Sequence, residues 1–429
     1  MSKSEMTRRS FLAAASAGAA AAGLSCSQAV RPAPVQRVRG ANERITIGVI
    51  GTGDRGRGTH IRILGDLKDR CNVEVTAVCD VWKINLDKAV VQVNKAFGKE
   101  PRPFARFGDL LALNDVDAVT IATCDSAHTP IMIAALKAGK DVYVEKPMSL
   151  DVEQANQALD LARKGERVVQ VGTQHRSNGA YQAARDVLAT SVLGTISRVT
   201  AARNFNHPRW ARPFEDCKPK DVDWDAYLFN QEKRRFDPKL LRQWHLCKGF
   251  SNGLSGLWGC HYIDAMHLMM NAAYPRRATA LGGIYVWKDG REHEDVFHGL
   301  WDYPEGFLYD WGMSLTNEAG NYWSVHGTQG TLAAESGELG TKRWLLSSAG
   351  GTKESKVEAR KVEPLPSAYN AGSLEADHFA NWIDCMRTRK RPAADIAFGH
   401  QHSVATIMAA AALHDGKTYL YDPRKRRIR

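Results

Sequence analysis

Short apolar runs and longer segments of helical periodicity alternate along the chain from residue 44 to residue 172. The apolar runs are rich in β-branched residues, which is typical of buried strands. They predict strands at 44–50, 73–79, 118–122, 142–144 and 168–171. The periodic segments between them predict helices at 58–67, 82–97, 130–138 and 151–164. Strict alternation of strands and helices predicts an α/β domain over residues 44–172, built on a doubly wound parallel sheet.

The pattern changes after Gly194, where strands follow one another without intervening helices. We predict these strands at 196–203, 278–287, 296–303, 306–314 and 321–326. Lys288-Asp289-Gly290 and the segment 303–306 have the composition of turns, so they predict hairpins. Helical spacing of large apolar residues returns at 373–389 and 396–414. We therefore expect residues 173–429 to form an α+β domain with a mostly antiparallel sheet.

The N-terminal segment has the form of an export signal. Arg8 and Arg9 stand directly before a weakly apolar run that ends near residue 24. This run is too short to span a bilayer of roughly 30 Å as a helix. We expect residues 1–29 to be a twin-arginine signal read by the twin-arginine translocation machinery, and residues 30–43 to be a linker. The protein would then be periplasmic or otherwise exported, and an imperfect lipobox ending at Cys26 leaves a lipid anchor there open.

The net charge of +11 is concentrated at the two ends of the 429-residue chain. Residues 1–42 carry six Lys or Arg and one Glu, and the last six residues carry five basic groups. The folded body is left close to neutral, which argues against a broad nucleic-acid-binding surface. We expect the basic segment 424–429 to be a solvated, disordered end, since terminal runs of like charge usually are.

The cysteines and histidines do not follow a metal-ligand spacing. Seven cysteines beyond the leader are scattered without a CxxC pair, so we expect most of them to be small core residues. Glu292-His293-Glu294-Asp295 with His298 resembles a metal cluster, but alternation along a strand would send these side chains to opposite faces. We therefore expect a solvated hairpin edge there and no metal.

A glycine-rich turn follows the first strand and opens the first helix. The glycines of Gly51-Thr52-Gly53-Asp54-Arg55-Gly56 suit, in order, a tight turn, close approach of a pyrophosphate, and close packing of helix on strand. The N-terminus of the helix attracts an anion. Asp80 ends the second strand, where a carboxylate accepts hydrogen bonds from ribose hydroxyls and repels a 2′-phosphate. NAD is therefore favoured over NADP, although the nearby Lys83 weakens the discrimination.

Four segments together resemble the glucose-fructose oxidoreductase / inositol dehydrogenase (Gfo/Idh/MocA) family of NAD(P)-dependent sugar oxidoreductases. They are 47–53, Ala122-Thr123-Cys124-Asp125 with His128, Glu145-Lys146-Pro147, and Gly259-Cys260-His261-Tyr262-Ile263-Asp264. The resemblance extends from about residue 44 to near the C-terminus. Its combination and order of motifs are specific, whereas no single motif is.

The resemblance implies a role for each segment. Lys146 would reach both the nicotinamide region and the reacting hydroxyl, and His261 would accept the proton when an alcohol is oxidised. The cofactor would be bound by Gly51, Thr52, Gly53, Asp54, Arg55, Gly56, Asp80, Thr123, Cys124, His128, Glu145, Lys146 and Gln174. The substrate would be bound by Lys146, His175, Arg176, Trp258, His261 and Asp264.

One position departs from the family pattern. Many dehydrogenases of this family carry Asp, or sometimes Asn, four residues before the active-site histidine, and this chain has Leu257 there. A helical offset of four would place residue 257 on the face of His261. The imidazole therefore lacks a carboxylate partner from this position. Asp264, three residues after His261, is either a hydrogen-bond partner of the histidine or a structural residue.

Oxidation of an alcohol by hydride transfer needs a base for the hydroxyl proton and a site that excludes water. A histidine and a lysine beside NAD⁺ suit the first need. Aromatic rings suit the C–H faces of sugars, and we expect one or two of four tryptophans to line the pocket: Trp210, Trp224, Trp244 and Trp258.

These features predict an enzyme, an NAD-dependent oxidoreductase that acts on a sugar or polyol, and a homo-oligomer. The missing carboxylate at position 257 leaves an alternative open. This is a glycoside-cleaving, epimerising or isomerising enzyme that uses tightly bound NAD through a transient keto-sugar. A non-catalytic, NAD-bound sugar sensor is a further alternative.

Overall fold

The computed structural model of the protein describes residues 43–229 and 231–429. The predicted export signal, the anchor at Cys26 and all but the last residue of the predicted linker lie outside these residues. Within the described part of the chain, no helix is both long enough and apolar enough to cross a bilayer.

The first sheet consists of six parallel strands in the order β3-β2-β1-β4-β5-β6. Its strands are β1 (Ile45–Ile50), β2 (Val73–Cys79), β3 (Arg102–Phe104), β4 (Ala118–Ile121), β5 (Asp141–Val144) and β6 (Val169–Val171). Every residue of β4 and β5 is buried, as expected when helices cover both faces of a parallel sheet. The doubly wound parallel sheet predicted for this region is confirmed.

Helices alternate with these strands, and the strand order places the glycine-rich turn after β1 at the crevice of the sheet. They are α1 (Arg62–Cys71), α2 (Lys83–Phe97), α3 (Phe107–Leu111), α4 (Asp125–Lys137) and α5 (Val152–Lys164). A π-helical turn, Gly56–Ile61, precedes α1. The strand order reverses between β1 and β4, so the carboxyl ends of these two strands open the crevice in which this architecture usually binds its ligand. The glycine-rich turn lies at that point.

The second sheet has ten strands in the order β14-β13-β12-β11-β7-β10-β9-β8-β15-β16. Only β7 and β10 pair in parallel, so the mostly antiparallel sheet is confirmed. The strands are β7 (Ile196–Asn204), β8 (Arg277–Gly283), β9 (Val296–Asp302), β10 (Leu308–Ser314), β11 (Tyr322–Gly327), β12 (Gly330–Ala334), β13 (Trp344–Ser347), β14 (Arg360–Val362), β15 (Tyr419–Asp422) and β16 (Arg427–Ile428).

Three helices cover one face of this sheet. The helices of the second region are α6 (Gly179–Ala189), α7 (Trp224–Leu228), α8 (Pro238–Gln243), α9 (Cys260–Met270), α10 (Leu374–Thr388) and α11 (Ile396–Asp415). On α6, Tyr181 lies 5.3 Å from the Trp323 ring, and on α9, Tyr262 lies 4.8 Å from the same ring. The Trp301 indole donates to the carbonyl of Ala405 in α11. The core between sheet and helices is therefore built on large, fully buried aromatic side chains.

The predicted strand 278–287 is four residues too long. β8 ends at Gly283, because the Asp295 carboxylate accepts hydrogen bonds from the backbone N–H groups of Tyr285, Val286 and Trp287. These donors are consequently removed from any strand ladder. The connection between β8 and β9 is a long loop over 284–295 and not the tight hairpin that Lys288-Asp289-Gly290 predicted.

Helix α10 packs on the first sheet although it follows the second in the sequence. Phe379 stacks on Tyr143 of β5, with ring centroids 4.2 Å apart and planes at 15°. Trp382 is fully buried in the same cluster as Ile47 and Val49 of β1. Residues of α10 therefore contribute to the core that covers the first sheet. A domain boundary at residue 172 assigns this helix to the other domain.

The basic C-terminal segment is folded, so the expected disordered end is wrong. β16 pairs with β15, and the Arg426 guanidinium forms an ion pair with Asp160 at 2.7 Å. The Asn156 side chain also donates to the Arg426 carbonyl at 2.9 Å. An acidic partner on α5 thus compensates part of the local charge, which the charge run alone did not reveal.

We predict that Phe379→Ala lowers the free energy of unfolding by about 3–5 kcal/mol, because it removes a fully buried ring from the contact with Tyr143. Chemical denaturation followed by circular dichroism measures this loss. Val91→Ala is the matched control, since its side chain is 69% exposed and its loss should cost less than about 0.5 kcal/mol. Equal stability of the two variants would contradict the docking of α10.

Candidate functional site

Two close backbone contacts shape the glycine-rich turn after β1. Gly51 has a φ of 84°, and a Cβ at this position would lie 2.6 Å from the carbonyl carbon of Ala122. A Cβ at Gly56 would lie 2.0 Å from the Gly51 carbonyl oxygen. At Gly53 the nearest such atom, Asn85 Nδ2, is 3.9 Å away. The chain packs against itself at the outer glycines and leaves space at the middle one, as the approach of a pyrophosphate requires.

Asp80 organises the same turn through its carboxylate. Its Oδ2 accepts hydrogen bonds from Thr52 N–H at 2.7 Å and Thr52 Oγ1 at 3.1 Å, and its Oδ1 accepts one from Trp82 N–H at 2.9 Å. Burial raises the pKa of Asp80, and these hydrogen bonds oppose that shift. Lys83 pairs with Asp87 at 2.6 Å on the exposed side of α2. Lys83 is therefore engaged with Asp87 and does not neutralise the Asp80 carboxylate, on which the expected preference for NAD depends.

A groove of about 540 Å³ runs along the carboxyl ends of β1 and β2. The predicted cofactor residues that line it are Gly51, Gly53, Asp54, Arg55, Asp80, Thr123 and Cys124. Four arginine side chains also line it: Arg55, Arg106, Arg212 and Arg242. Burial raises the pKa of the Cys124 thiol to about 11, so it stays neutral at neutral pH. Four aspartates, Asp54, Asp80, Asp109 and Asp225, line the groove as well, so the charges of its walls balance. A groove beside an open glycine turn and the start of a helix fits a dinucleotide, with the backbone N–H groups of the turn placed for its phosphates.

Glu145 does not line the groove but ties its parts together. Its Oε1 accepts from Arg55 Nε at 2.6 Å and lies 3.0 Å from His60 Nε2, and its Oε2 accepts from the backbone N–H of Lys146 at 3.3 Å. Burial alone would raise the pKa of Glu145, but Arg55 and His60 lower it well below its usual range. Glu145, predicted to bind the cofactor, is thus an ionised carboxylate that connects the glycine-rich turn to Lys146.

Lys146 is positioned by a backbone carbonyl on the other side of the site. Its Nζ donates to the carbonyl oxygen of Leu257 at 2.8 Å. Leu257 lies in a π-helical turn, Ser255–Gly259, immediately before α9, and its side chain is buried. The residue that departs from the family pattern therefore contacts the lysine through its main chain, and the ammonium charge has no carboxylate partner there.

His261 occupies the second position of α9 and is buried and uncharged. Burial, followed by the charge of Lys146, lowers its pKa well below the usual range. Its Nδ1 is buried without a hydrogen-bond partner, and its ring lies 5.6 Å from the His175 ring and 6.5 Å from the Trp258 ring. A neutral imidazole beside an ammonium group can accept a proton, so Lys146 and His261 form the candidate catalytic pair.

The short turn Gln174–Ser177 brings two further predicted residues to this place. Burial lowers the pKa of His175 to about 4, so this imidazole is also neutral near pH 7. Its Nδ1 and the Gln174 side-chain oxygen are buried without hydrogen-bond partners. Both side chains therefore have a polar atom that no protein group engages, and the roles that the resemblance implies for them stay predictions.

Arg176 and Asp264, predicted to bind substrate, are engaged with each other. Arg176 Nε lies 2.9 Å and 2.8 Å from the two carboxylate oxygens of Asp264, and His402 Nδ1 lies 3.3 Å from Oδ1. The guanidinium also stacks on Phe398 at 3.7 Å, and both partners are buried. Asp264 does not accept the hydrogen bond from His261 that the spacing of three permits. Asp264 takes the structural role of the two alternatives.

His128, predicted to contact the cofactor, braces two loops. Its Nδ1 lies 2.9 Å from the carbonyl oxygen of Pro147 and its Nε2 lies 3.3 Å from that of Thr123. The ring is buried and thus connects the start of α4 with the segment that follows Lys146. It acts on the site through these main-chain contacts.

Asp125 is a site residue to which sequence reasoning gave no role. It opens α4 beside Cys124, is buried, and has an Oδ2 without a hydrogen-bond partner. Burial raises its pKa to about 8, although the charge of Lys146 opposes that shift. Asp125 belongs to the segment 122–125 that carries the family resemblance, but only the burial of its carboxyl distinguishes it from an ordinary aspartate.

His245 is a second residue that lacked a predicted role. Its ring is stacked between Trp244, at 3.6 Å, and Trp210, at 5.6 Å, and it lines the groove together with Trp244. Burial, then Arg212 and Lys146, lower its pKa well below the usual range. The expectation that one or two of the four tryptophans line the pocket remains a prediction, with Trp244 in the groove and Trp258 beside His261. Trp224 instead stacks on Tyr227 and donates to a backbone carbonyl.

The acidic and histidine-rich segment 292–295 has local structural contacts. Glu292 accepts from Lys248 N–H, Glu294 from Leu254 N–H, and His293 Nε2 lies 3.0 Å from the Ser251 carbonyl. Across residues 43–229 and 231–429, no group of three or more His, Cys, Asp or Glu is placed to hold a metal ion. The seven cysteines in this part of the chain are all free thiols.

Two family models match the chain. Residues 45–173 match the oxidoreductase family with the NAD-binding Rossmann fold, and residues 181–333 match the GFO/IDH/MocA C-terminal domain. The first match contains the glycine-rich turn, Asp80 and Lys146, and the second contains His261. The two halves of the candidate site thus fall in two consecutive domains of one family.

Two curated relatives are named for different activities. The inositol 2-dehydrogenase/D-chiro-inositol 3-dehydrogenase of Lactiplantibacillus plantarum is 30% identical over 205 residues, which cover 46% of this chain and 56% of that protein. A glycosyl hydrolase family 109 protein of Saccharopolyspora erythraea is 35% identical over 176 residues, which cover 38% of each protein. The alignments therefore span about half of the length of these relatives or less.

Solved structures share the fold over nearly the whole described chain. A levoglucosan dehydrogenase in complex with NADH and levoglucosan aligns with a TM-score of 0.65 and 15% identity, over 88% of this chain and 99% of that one. The aldose-aldose oxidoreductase of Caulobacter crescentus, complexed with glycerol, aligns with a TM-score of 0.65 and 19% identity, over 88% and 100%. These two proteins thus share the fold of this chain, including the arrangement of both sheets.

We predict that Gly56→Ala weakens NADH binding by at least about tenfold, because the new Cβ would collide with the Gly51 carbonyl and displace the turn. Gly58→Ala is the control, since no atom lies within 4 Å of a Cβ there. Titration of NADH fluorescence measures both affinities. Equal affinity of the two variants would show that the turn does not hold the dinucleotide.

We predict that Asp125→Asn raises the free energy of unfolding, and that the gain increases from pH 5 to pH 8. The folded-state pKa of about 8 lies above the ordinary value of about 3.9. Ionisation therefore favours the unfolded state as the pH rises towards 8, and it penalises the native protein by an amount on the order of a few kcal/mol. Asparagine does not titrate, so the variant escapes this penalty.

Urea unfolding at pH 5, 6.5 and 8 tests this expectation. Asp66→Asn is the matched control because the Asp66 side chain is 63% exposed, and it should follow the wild-type pH profile. A gain for Asp125→Asn that is constant across this range would mean that the buried carboxyl does not titrate there.

Proposed function

The chain belongs to the GFO/IDH/MocA family of oxidoreductases, and from that premise we propose that it oxidises or reduces a hydroxyl-bearing carbon of a sugar or polyol with NAD. The observation that carries the proposal is the convergence of Lys146 and His261 beside the dinucleotide groove. Lys146 follows β5 of the first sheet, whereas His261 lies on helix α9. The Glu145 contact with the Lys146 backbone and the hydrogen bond to the Leu257 carbonyl hold the lysine in place.

The groove residues would hold the dinucleotide. Gly53 and the start of the first helix would hold the pyrophosphate, Arg55 and Arg212 line the same groove, and Asp80 would accept hydrogen bonds from the ribose hydroxyls. Bound NAD⁺ would supply the hydride acceptor. The open glycine and the helix start fit this cofactor, and the carboxylate at position 80 disfavours the extra phosphate of NADP.

Lys146 and His261 would handle the proton of the substrate hydroxyl. The Lys146 ammonium keeps donors free beyond the one given to Leu257, so it can hydrogen-bond the hydroxyl oxygen and stabilise negative charge there. His261 is neutral because of burial and the nearby lysine, and it can accept the hydroxyl proton. The half-buried rings of His175 and Trp258 flank it and cover part of its surface from water.

A second candidate function is redox-neutral chemistry with tightly held NAD, such as glycoside cleavage or epimerisation through a transient keto-sugar. Two observations favour it: the similarity to glycosyl hydrolase family 109 proteins and the absence of an acidic residue at position 257. A non-catalytic sugar sensor is a third alternative. It is opposed by the buried, neutral His261 near Lys146, whose Nδ1 has no hydrogen-bond partner, since an unpaired buried polar group is costly without a use.

The N-terminal twin-arginine pattern supports export of the folded protein through the twin-arginine machinery, to the periplasm or beyond, with a lipid anchor at Cys26 as an option. Free NAD is scarce outside the cytoplasm, so an exported enzyme benefits from a cofactor bound before export. We also propose a homo-oligomer. Fractionation of the expressing cells and light scattering of the purified protein test these two points.

Mass spectrometry of the denatured, purified protein for nicotinamide nucleotide is the first test of this function. A panel of sugars and polyols is then followed by nicotinamide absorbance and by product analysis. Steady reduction of added NAD identifies a dehydrogenase, and sugar conversion without a net absorbance change identifies the redox-neutral alternative. A protein that neither contains nor takes up nicotinamide nucleotide would contradict both.

We predict that Lys146→Met and His261→Asn each lower kcat/KM on the identified substrate by about 10²- to 10⁴-fold, because each removes a group that handles the hydroxyl proton. The nucleotide content of His261→Asn should match that of wild type, since His261 is not among the predicted cofactor residues. Lys83→Met, which removes an exposed lysine paired with Asp87, is the control and should retain full activity. Full activity of either site variant would point to the non-catalytic alternative.

A further inference from the structure

The loop after β7 carries an arginine without an anionic partner. Arg209 is half-buried, and no carboxylate in residues 43–229 and 231–429 forms an ion pair with it. Its Nε is completely buried and makes no hydrogen bond. A guanidinium has five N–H donors in a rigid fork, so an arginine in this state leaves most of its binding capacity unused.

Aromatic rings hold this guanidinium next to the candidate catalytic pair. Its Cζ lies 4.6 Å from the Phe205 ring centroid, 5.3 Å from the Trp258 centroid and 5.7 Å from the Trp210 centroid. Trp258 is also the ring that flanks His261 at 6.5 Å. The rings fix the plane and position of the guanidinium by cation–π contact, but they do not neutralise its charge.

Neighbouring charges make the position more positive still. The Arg203 guanidinium stacks on the same Phe205 ring at 4.3 Å, and its one acidic partner is Glu338. Burial, then the charge of Arg203, lower the pKa of Arg209. Two like charges held this close are unfavourable, so the arrangement calls for an anion that the chain itself does not supply.

The other carboxylates of the site are not available to Arg209. Glu145 is engaged by Arg55 and His60, and Asp264 is engaged by Arg176. Lys146 adds a further positive charge, whose hydrogen bond goes to the Leu257 carbonyl. The buried Asp125 carboxyl lies near Lys146, and burial raises its pKa to about 8, so it does not compensate Arg209 at neutral pH.

Arg209 contacts Trp258, the ring that flanks His261, and does not line the dinucleotide groove. Arg212, three residues later, lines the groove and pairs with Asp54 at 3.3 Å. Arg209 is not among the groove-lining residues in the described chain. The loop thus places Arg212 in the groove and Arg209 against Trp258, so cofactor phosphates bound in the groove do not explain the unpaired guanidinium.

We propose that the substrate is a sugar or polyol that carries an anionic group, a carboxylate or a phosphate, which Arg209 binds while the reacting hydroxyl lies at Lys146 and His261. This inference rests on the proposed function, because it names the substrate class of the same site. A planar carboxylate or a phosphate oxygen pair accepts two parallel hydrogen bonds from a guanidinium. The Trp258 ring between Arg209 and His261 offers a surface for the C–H face of the sugar.

Calorimetric binding to the NAD-loaded protein tests the proposal independently of turnover. The probes are matched sets: glucose, glucuronate and glucose 6-phosphate, and galactose, galacturonate and galactose 6-phosphate. Wild type should bind a charged member of at least one set about tenfold or more tightly than the neutral member, since a hydrogen bond to a charged group is worth about 1.5–3 kcal/mol. The uronates and the phosphates distinguish a carboxylate from a phosphate as the anionic group.

Arg209→Gln should abolish that preference while the affinity for NADH and the affinity for the neutral sugar stay within about twofold of wild type. Arg209→Lys should retain only part of it, because a lysine lacks the fork. Arg277→Gln is the matched control, since Arg277 is exposed and pairs with Asp302 on the second sheet, and it should keep the full preference.

The outcomes separate this proposal from the proposed function. Charged sugars that bind no more tightly than neutral ones, or a preference that survives in Arg209→Gln, overturn the anionic substrate even if a neutral sugar is oxidised. A preference that depends on Arg209 supports it even if no nicotinamide reduction follows, and in that case the proposed chemistry is the part that fails.

Discussion

The buried carboxylate of Glu145 is the interaction on which the geometry of the site depends. An ionised carboxylate in the interior is costly unless every oxygen is engaged, and Glu145 meets this requirement with partners from two loops. Arg55 and His60 come from the first βα connection, and the backbone N–H of Lys146 comes from the end of β5. Removal of one partner would leave a buried charge uncompensated. The dinucleotide turn and the lysine loop are therefore held as one unit.

The second half of the site is attached to this unit through main-chain atoms. The π-helical turn Ser255–Gly259 brings the Leu257 carbonyl to Lys146 Nζ and leads directly into α9, which carries His261. Such turns frequently lie at functional positions in helices. A carbonyl, unlike a carboxylate, orients the ammonium without neutralising it. Burial, followed by the positive charge of Lys146, lowers the pKa of His261 and keeps its imidazole neutral. Lys146 and Arg209 are the two cations that the proposed anionic substrate would meet.

Sequence patterns predicted those features that depend on local periodicity. β2 has its predicted bounds, 73–79, because a buried β-branched run is unambiguous. α4, in contrast, begins at Asp125 and contains Pro130, where the helix was expected to start. Its first turn is held by tertiary contacts, such as the hydrogen bond from Thr129 to the Met148 carbonyl. Likewise, the partner of Asp264 lies 88 residues away in Arg176, and nothing local to either residue indicates the pair. The Asp125 carboxyl and the unpaired Arg209 become visible only through burial and missing partners.

The central claim is that a dinucleotide bound at the glycine-rich turn faces Lys146 and His261. A crystal structure of the protein with NAD bound tests this most directly, through the positions of Lys146 Nζ and His261 Nε2 relative to the nicotinamide ring. The account predicts that both nitrogens lie on one side of the ring, where one substrate hydroxyl can approach each of them to about 3 Å. A dinucleotide that lies outside the groove, or a nicotinamide that points away from both residues, would contradict it.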